Sequence, residues 1–315
     1  MKKKKKDLWC LKDSKLLMVI FLLTVCSISR AQYHPQYSQY MFNGLALNPA
    51  YAGSQEVLNL AALYRSSQWG NSVEGAPVTQ TFAGDFPLRN PQIALGLLVF
   101  NDKISIFRQT GAYYAYAFRV KAGKGKLSFG LQAGFDLHHE DFGGIKIKDP
   151  EDELFMGEKH NTFMPNAGAG VYYYQSNFFA GLSVPQLLAY SPNTAKSYKG
   201  KLTHSNITFY GGVIVPAGRN LKVKPSTLLQ NTGNGLLFDL NCNLAFFREM
   251  FEIGASWRSN KVLVGMVQFR YQSFCIGYAH DYALEKPGAI NSSHEIMLRY
   301  NFKIMVNAVN PLRLN

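Results

Sequence analysis

The sequence has 315 residues, of which 14% are aromatic and only 17% charged, with 27 glycines and a formal net charge of +13. Average domains carry about 25% charged residues, so this composition points away from a water-facing globule and toward strands with one apolar face. The basic excess forms no stripe or aromatic-spaced groove, which speaks against a nucleic-acid surface.

The chain begins with a positive run, Lys2 to Lys6, followed by Lys12 and Lys15. An apolar run of about ten residues, 16–25, comes next, too short to span a bilayer. Ser29-Arg30-Ala31 then sets small residues at the −3 and −1 positions of a cleavage site, the pattern of a secretory signal peptide. Cys26 suggests a lipoprotein site, but bulky Val25 fits one poorly, and cleavage after Ala31 is expected. Losing residues 1–31 removes eight basic and two acidic residues and lowers the net charge from +13 to +7. Cys242 and Cys275 remain, too few for a disulfide framework, and two inert thiols are expected.

Residues 32–56 form a lead-in rich in aromatics and amides, punctuated as turns by Asn48-Pro49 and Gly53. Two placements are open to it: folded into a lumen, where its amides would meet a polar wall, or left outside as a periplasmic segment.

From residue 57 to 305 the dominant signal is period-two alternation. Leu127, Phe129, Leu131, Ala133, Phe135 and Leu137 alternate with Ser128, Gly130, Gln132, Gly134 and Asp136. Phe251, Ile253, Ala255 and Trp257 alternate with Glu252, Gly254, Ser256 and Arg258. Successive strand side chains face opposite sides, so each segment has one apolar and one polar or small face. About fourteen such segments begin near Val57, Val78, Gln92, Arg108, Lys126, Thr162, Phe178, Thr203, Leu221, Leu236, Phe251, Val262, Phe274 and Ser293. Most run nine to thirteen residues, as roughly 9–11 residues are needed to cross a membrane when tilted. No later stretch offers about 18 consecutive apolar residues, so no spanning helix is expected. The fold class read here is an all-β, transmembrane antiparallel β-barrel of about fourteen strands behind an N-terminal signal peptide, with residues 306–315 as a tail. A secreted β-sandwich would also alternate, but with shorter strands and its apolar faces in a core.

The connections alternate in length, as in bacterial barrels with short periplasmic turns and longer outer loops. If the first strand runs outward, 88–91, 122–125, 175–177, 216–220, 248–250 and 272–273 are the turns, and 67–77, 139–161, 186–202 and 284–292 the loops. The medium connection 101–107 and the tight 259–261 fit this less well. Tyr113, Tyr114, Tyr116, Tyr172, Tyr173, Tyr174, Tyr278, Tyr282 and Tyr300 lie near strand ends, either as interfacial girdles or as ordinary cross-strand packing.

Chemistry-bearing groups are sparse. His138-His139-Glu140-Asp141 is rich in ligand types, but neighbours on a strand face opposite sides and cannot easily share one metal. The acidic run 149–153 reads as a solvated loop rather than a calcium site. His280-Asp281 and His294-Glu295 suggest dyads, yet no nucleophile elbow accompanies them. Residues 122–126 lack phosphate-loop spacing. No catalytic residue, cofactor site or metal site is therefore expected, and an outer-membrane hydrolase is a poor fit.

The lead-in carries Tyr37-Ser38-Gln39-Tyr40-Met41-Phe42-Asn43 and Leu47-Asn48-Pro49-Ala50-Tyr51-Ala52-Gly53. Tyr64-Arg65, Gln68-Trp69 and Gly75-Ala76-Pro77 follow. These blocks resemble the PorP/SprF family of outer-membrane proteins of the type IX secretion system, with one extra serine before Gln68-Trp69. Asn101-Asp102-Lys103-Ile104 is similar to a family block, with Ser105 in place of its glycine. Further similar blocks are 127–134, Pro165-Asn166 with 170–173, 181–187, Pro225-Ser226, 239–241, 254–258 and 293–295. The resemblance runs in order along nearly the whole mature chain. It implies an outer-membrane barrel that supports secretion or surface attachment of type IX substrates, with the secretion machinery, outer-membrane lipid and an exported adhesin as partners; members often accompany large adhesins, including those of gliding motility. The family-matching residues proposed for partner binding are Gln39, Tyr40, Phe42, Asn43, Asn48, Pro49, Tyr51, Gly53, Tyr64, Arg65, Trp69 and Pro77. A channel for small solutes is the rival reading, since a barrel of this size encloses a polar lumen.

Overall fold

The computed structural model describes residues 36–67, 75–141, 159–187, 206–232, 235–285 and 292–302. The signal peptide, the tail, Trp69 and the acidic run 149–153 lie outside the described residues.

Alternating apolar and polar residues force each strand to be two-faced, and such strands close on themselves when lipid offers no partner for an open edge. Fourteen antiparallel strands do so here, each paired with its sequence neighbours. They are β1 (Leu58–Ser66), β2 (Val78–Pro87), β3 (Ile93–Ile104), β4 (Phe107–Ala122), β5 (Gly125–Asp141), β6 (Lys159–Gln175) and β7 (Phe178–Val184), then β8 (Ile207–Val213, resuming at Val215–Pro216). The rest are β9 (Leu221–Thr232), β10 (Gly235–Phe246), β11 (Phe251–Arg258), β12 (Val262–Tyr271), β13 (Phe274–Ala283) and β14 (Ser292–Phe302). Closure comes from β14 on β1, with Leu60 opposite Tyr300 and Arg65 opposite Glu295. The interruption in β8, at Ile214, follows the position opposite Pro225, which has no N–H to give to a ladder. Tyr210 still faces Leu228 and Val215 still faces Val223, so the register is the same on both sides.

One end of the barrel carries the connections after odd-numbered strands and is called the loop end; the other is the turn end. At the turn end the links are brief, such as the two-residue turns 123–124 and 272–273. The medium connection expected at 101–107 is instead a two-residue turn. β3 continues to Ile104, β4 starts at Phe107, and Ser105 turns the chain with φ 53°. β4, β5 and β6, at 16, 17 and 17 residues, exceed the roughly 9–11 needed to cross and extend the wall beyond the bilayer.

The outward side chains form the lipid face: Phe82, Leu95, Leu131, Phe209, Leu240, Ile253, Ile276 and Leu298 are all exposed. An aromatic collar rings the turn end, but phenylalanine supplies most of it, through Phe86, Phe118, Phe251, Phe269, Phe274 and Phe302 beside Tyr271. Tyr113 and Tyr172 belong to no girdle. They are buried inside the barrel, because their positions share the parity of the inward faces. Cys242 and Cys275 are both free, one facing out and the other in. Among the described residues no helix is long and apolar enough to cross a membrane.

A barrel interior of this width must be filled or flooded. Here the lead-in lies inside it. Residues 37–53 pass through the lumen as two 3-10 turns, Tyr40–Phe42 and Pro49–Tyr51, around one α-helical turn, Gly44–Leu47. The apolar core of the molecule is this plug against the wall: Tyr40, Leu45, Leu47, Ala50 and Tyr51 pack with Ala61, Leu98, Phe100, Tyr113, Ala117 and Tyr172.

Candidate functional site: the lumenal plug and its clamps

The plug is held at three levels. At the loop end, Ser38 and Gln39 donate their backbone N–H groups to the two oxygens of Glu295, at 2.9 and 2.8 Å. The Ser38 hydroxyl bonds to Asp281 at 2.6 Å. Arg65 completes the knot: its guanidinium donates to the Gln36 carbonyl, to Ser38 Oγ at 2.7 Å and to Asp281 at 2.8 Å. Arg258 reaches Asp281 at 3.4 Å and Asp239 at 3.2 Å, and Ser256 donates to Asp239. Asp281 and Glu295 are 4% and 1% exposed. Buried carboxylates persist only when paired and hydrogen-bonded, and here the plug's own backbone supplies part of that pairing. Tyr37 adds a hydroxyl contact with Thr81 at 3.0 Å.

In the middle, Asn48 serves both as cap and as anchor. Its side-chain oxygen accepts from Ala50 N at 2.9 Å, capping the turn that Pro49 begins. Its amide donates to the Val171 carbonyl of β6 at 3.0 Å. Ser183 of β7 donates to the Leu47 carbonyl at 2.6 Å. The plug backbone lies so close that a Cβ at Gly130 would strike Pro49 and Ala50, and one at Gly170 would strike the Asn48 amide. Tyr51 packs on Tyr172, with ring centroids 5.5 Å apart. Tyr40 meets Ser226 at 3.3 Å, and the Arg299 guanidinium sits 5.9 Å from the Phe42 ring centre.

At the turn end, Gly53 donates its N–H to Asp85 at 2.7 Å, and its carbonyl accepts from Arg119. Asn59 donates to the other Asp85 oxygen at 2.9 Å. Gly53 has φ +67°, and a side chain there would also meet Ala94, so the position requires glycine. Glu56 and Lys126 pair at the rim.

A second inward cluster lies on the wall of β4 and β5. Gln186, just past β7, is buried and donates to Tyr113 at 3.0 Å. Tyr113 in turn bonds to Asp136, and Gln132 donates to the Pro185 carbonyl at 2.6 Å.

The structure thus gathers Gln39, Tyr40, Phe42, Asn43, Asn48, Pro49, Tyr51 and Gly53 into the plug, and Arg65 into its clamp. It separates Tyr64, which points outward and is 47% exposed. Pro77 lies on the approach to β2, half-buried. The main partners missing from the expected set are Asp281, Glu295, Asp85, Arg119 and Ser183. His280-Asp281 and His294-Glu295 are not dyads, since the acids point in and the histidines out. His138 and His139 likewise face opposite sides, the latter bonded to Asn161 at 2.6 Å. Among the described residues no group of three or more His, Cys, Asp or Glu converges on a metal position.

A family model described as type IX secretion system membrane protein PorP/SprF matches residues 29–300. No curated protein sequence matches the chain. Among solved structures, outer membrane protein Omp33 of Acinetobacter baumannii is similar with a TM-score of 0.46 and 10% identity, covering 78% of this chain and 96% of that one. The monoaromatic hydrocarbon channel CymD has a TM-score of 0.47 at 12% identity, covering 87% and 94%. The Pseudomonas putida toluene transporter TodX has a TM-score of 0.45 at 9% identity, covering 87% and 95%.

Proposed function

This chain belongs to the PorP/SprF family of type IX secretion system membrane proteins and is an outer-membrane β-barrel, and from that premise we propose that it is a non-enzymatic adaptor for an exported surface protein. In this reading it recruits or retains a partner adhesin at the cell surface, carries out no catalysis and requires no cofactor. One observation carries the proposal: the chain's own segment 37–53 runs inside the barrel and is bonded to the wall near both ends and in the middle. In this reading the plugged barrel works through its rims, not its bore. The loop end, taken as extracellular because bacterial barrels place their longer loops there, presents the connections after β5 and β7 to the client. The turn end, with its short links, meets the periplasmic parts of the secretion machine.

The rival is a solute channel, and planar-bilayer recording of the purified protein separates the two. The adaptor reading predicts a silent barrel that co-purifies with secretion components. A large, steady open conductance in the intact chain would sink it.

A further inference from the structure

The carboxylates at 281 and 295 point inward and serve the plug, while the histidines beside them stand on the opposite face of the wall. β13 and β14 place His280 directly opposite His294 on the outer side of the wall. Both lie at the loop end, three residues from the end of β13 and third in β14. Their Nδ1 atoms are 3.3 Å apart, and the Tyr278 hydroxyl is 2.7 Å from His294 Nδ1. The rings are 4.6 Å apart between centroids and inclined at 46°. Next to them, Gly265, paired with His280 on β12, has open space where a side chain would stand.

Two nitrogens bound at about 2.0–2.1 Å to one tetrahedral zinc lie about 3.3–3.4 Å from each other. The observed spacing is the edge of such a shell before any movement of the backbone. Cross-strand register fixes it, because a directly opposed pair on an antiparallel ladder keeps its Cβ atoms about 4.5–5.5 Å apart.

We propose that His280 and His294 form a two-imidazole site for one borderline divalent transition-metal ion, zinc or copper(II), on the outer wall near the loop end. The neutral rings turn their Nδ1 lone pairs to the ion and keep their protons on Nε2. The Tyr278 hydroxyl lies where it bonds a metal-bound water, and water fills the remaining positions on the side left open by Gly265. The ion clips β13 to β14 directly behind Asp281 and Glu295, the two acids that hold the start of the plug. Copper(II) binds more tightly than zinc here, following the usual order for nitrogen sites.

The test uses the full-length protein in detergent micelles, without a polyhistidine tag, stripped by chelator and titrated with copper(II) or zinc chloride. Electron paramagnetic resonance of the copper form should show one ion per chain with hyperfine splitting from two nitrogens. His280→Gln and His294→Gln should each lose at least tenfold in affinity for both ions and drop the two-nitrogen pattern. His139→Gln should change neither, and Tyr278→Phe, which keeps both rings, should retain the pattern. Heat-modifiable migration on gels checks that each variant is folded. Loss of the pattern in His139→Gln, its survival in either of the two variants, or no binding below millimolar metal would overturn the site and leave a hydrogen-bonded histidine pair.

Discussion

Replacing Gly130 with alanine places a methyl group where the backbone of Pro49 and Ala50 already lies. Both sides of that contact are backbone, so no side-chain rotation relieves it, and the plug must move off the wall. Overpacking of this kind costs about 1–3 kcal/mol. The shift also strains the Asn48 bond to Val171 and the Ser183 bond to Leu47, each worth about 0.5–1.5 kcal/mol net. Together these give about 3 kcal/mol against the docked plug, and since 1.4 kcal/mol is tenfold, the undocked population should rise roughly a hundredfold. The assay is maleimide labelling of Ala52→Cys, buried in the plug, in a chain whose Cys242 and Cys275 are serine. Labelling of the Gly130→Ala chain should be faster by about that factor, while alanine at Gly265, where nothing lies near, should leave the rate alone. Equal rates at both positions would refute the packing of the plug against β5.

Other consequences follow from the clamps. Asp281→Ala leaves Arg65 and Arg258 without a shared acid; removing one partner of a buried pair typically costs about 3–5 kcal/mol. The temperature at which the compact gel band is lost should therefore fall clearly, and less for Asp281→Asn; no change would contradict the clamp. Deleting residues 36–54 should convert a silent barrel into a conducting one in planar bilayers, and silence after deletion would mean that something else seals the bore. At the turn end, burial alone would raise the Glu249 carboxyl, but its bonds to Lys222 and Lys224 outweigh that and hold it at about 2, below the ordinary 4.5. A depressed carboxylate stabilises the fold above its unfolded value, and that contribution is lost as pH falls from about 4.5 through about 2. Glu249→Gln should flatten the pH dependence of thermal stability in that window, and an unchanged profile would refute the pairing.

Much of the wall was legible because period two is a local signal. The strand starts at Val78, Phe178, Leu221, Phe251, Val262 and Phe274 are those observed, and the inward acids and arginines of β10, β11 and β14 follow from parity alone. The same parity marks Tyr113 and Tyr172 as lumenal and parts His280 from Asp281. The turn at Ser105 was not legible, since it bends through positive φ without glycine, asparagine or proline. The lead-in's place was undecidable for a different reason. Ser38 meets Glu295 and Asn48 meets Val171, contacts 257 and 123 residues apart, and nothing local in an amide-rich segment records which distant wall satisfies it. Gly130 was visible only as a small residue on a polar face and Gly170 only within a family-like block; their purpose, to admit the backbone of Pro49 and Ala50 and the amide of Asn48, exists only in the closed barrel.

The most direct test of the adaptor reading is a clean deletion of the gene, followed by proteomics of the cell surface and the medium. Selective loss of one or a few large surface proteins, retained inside the cell and restored when the gene is returned, is the predicted result. An unchanged surface proteome with altered uptake of a small solute would contradict it.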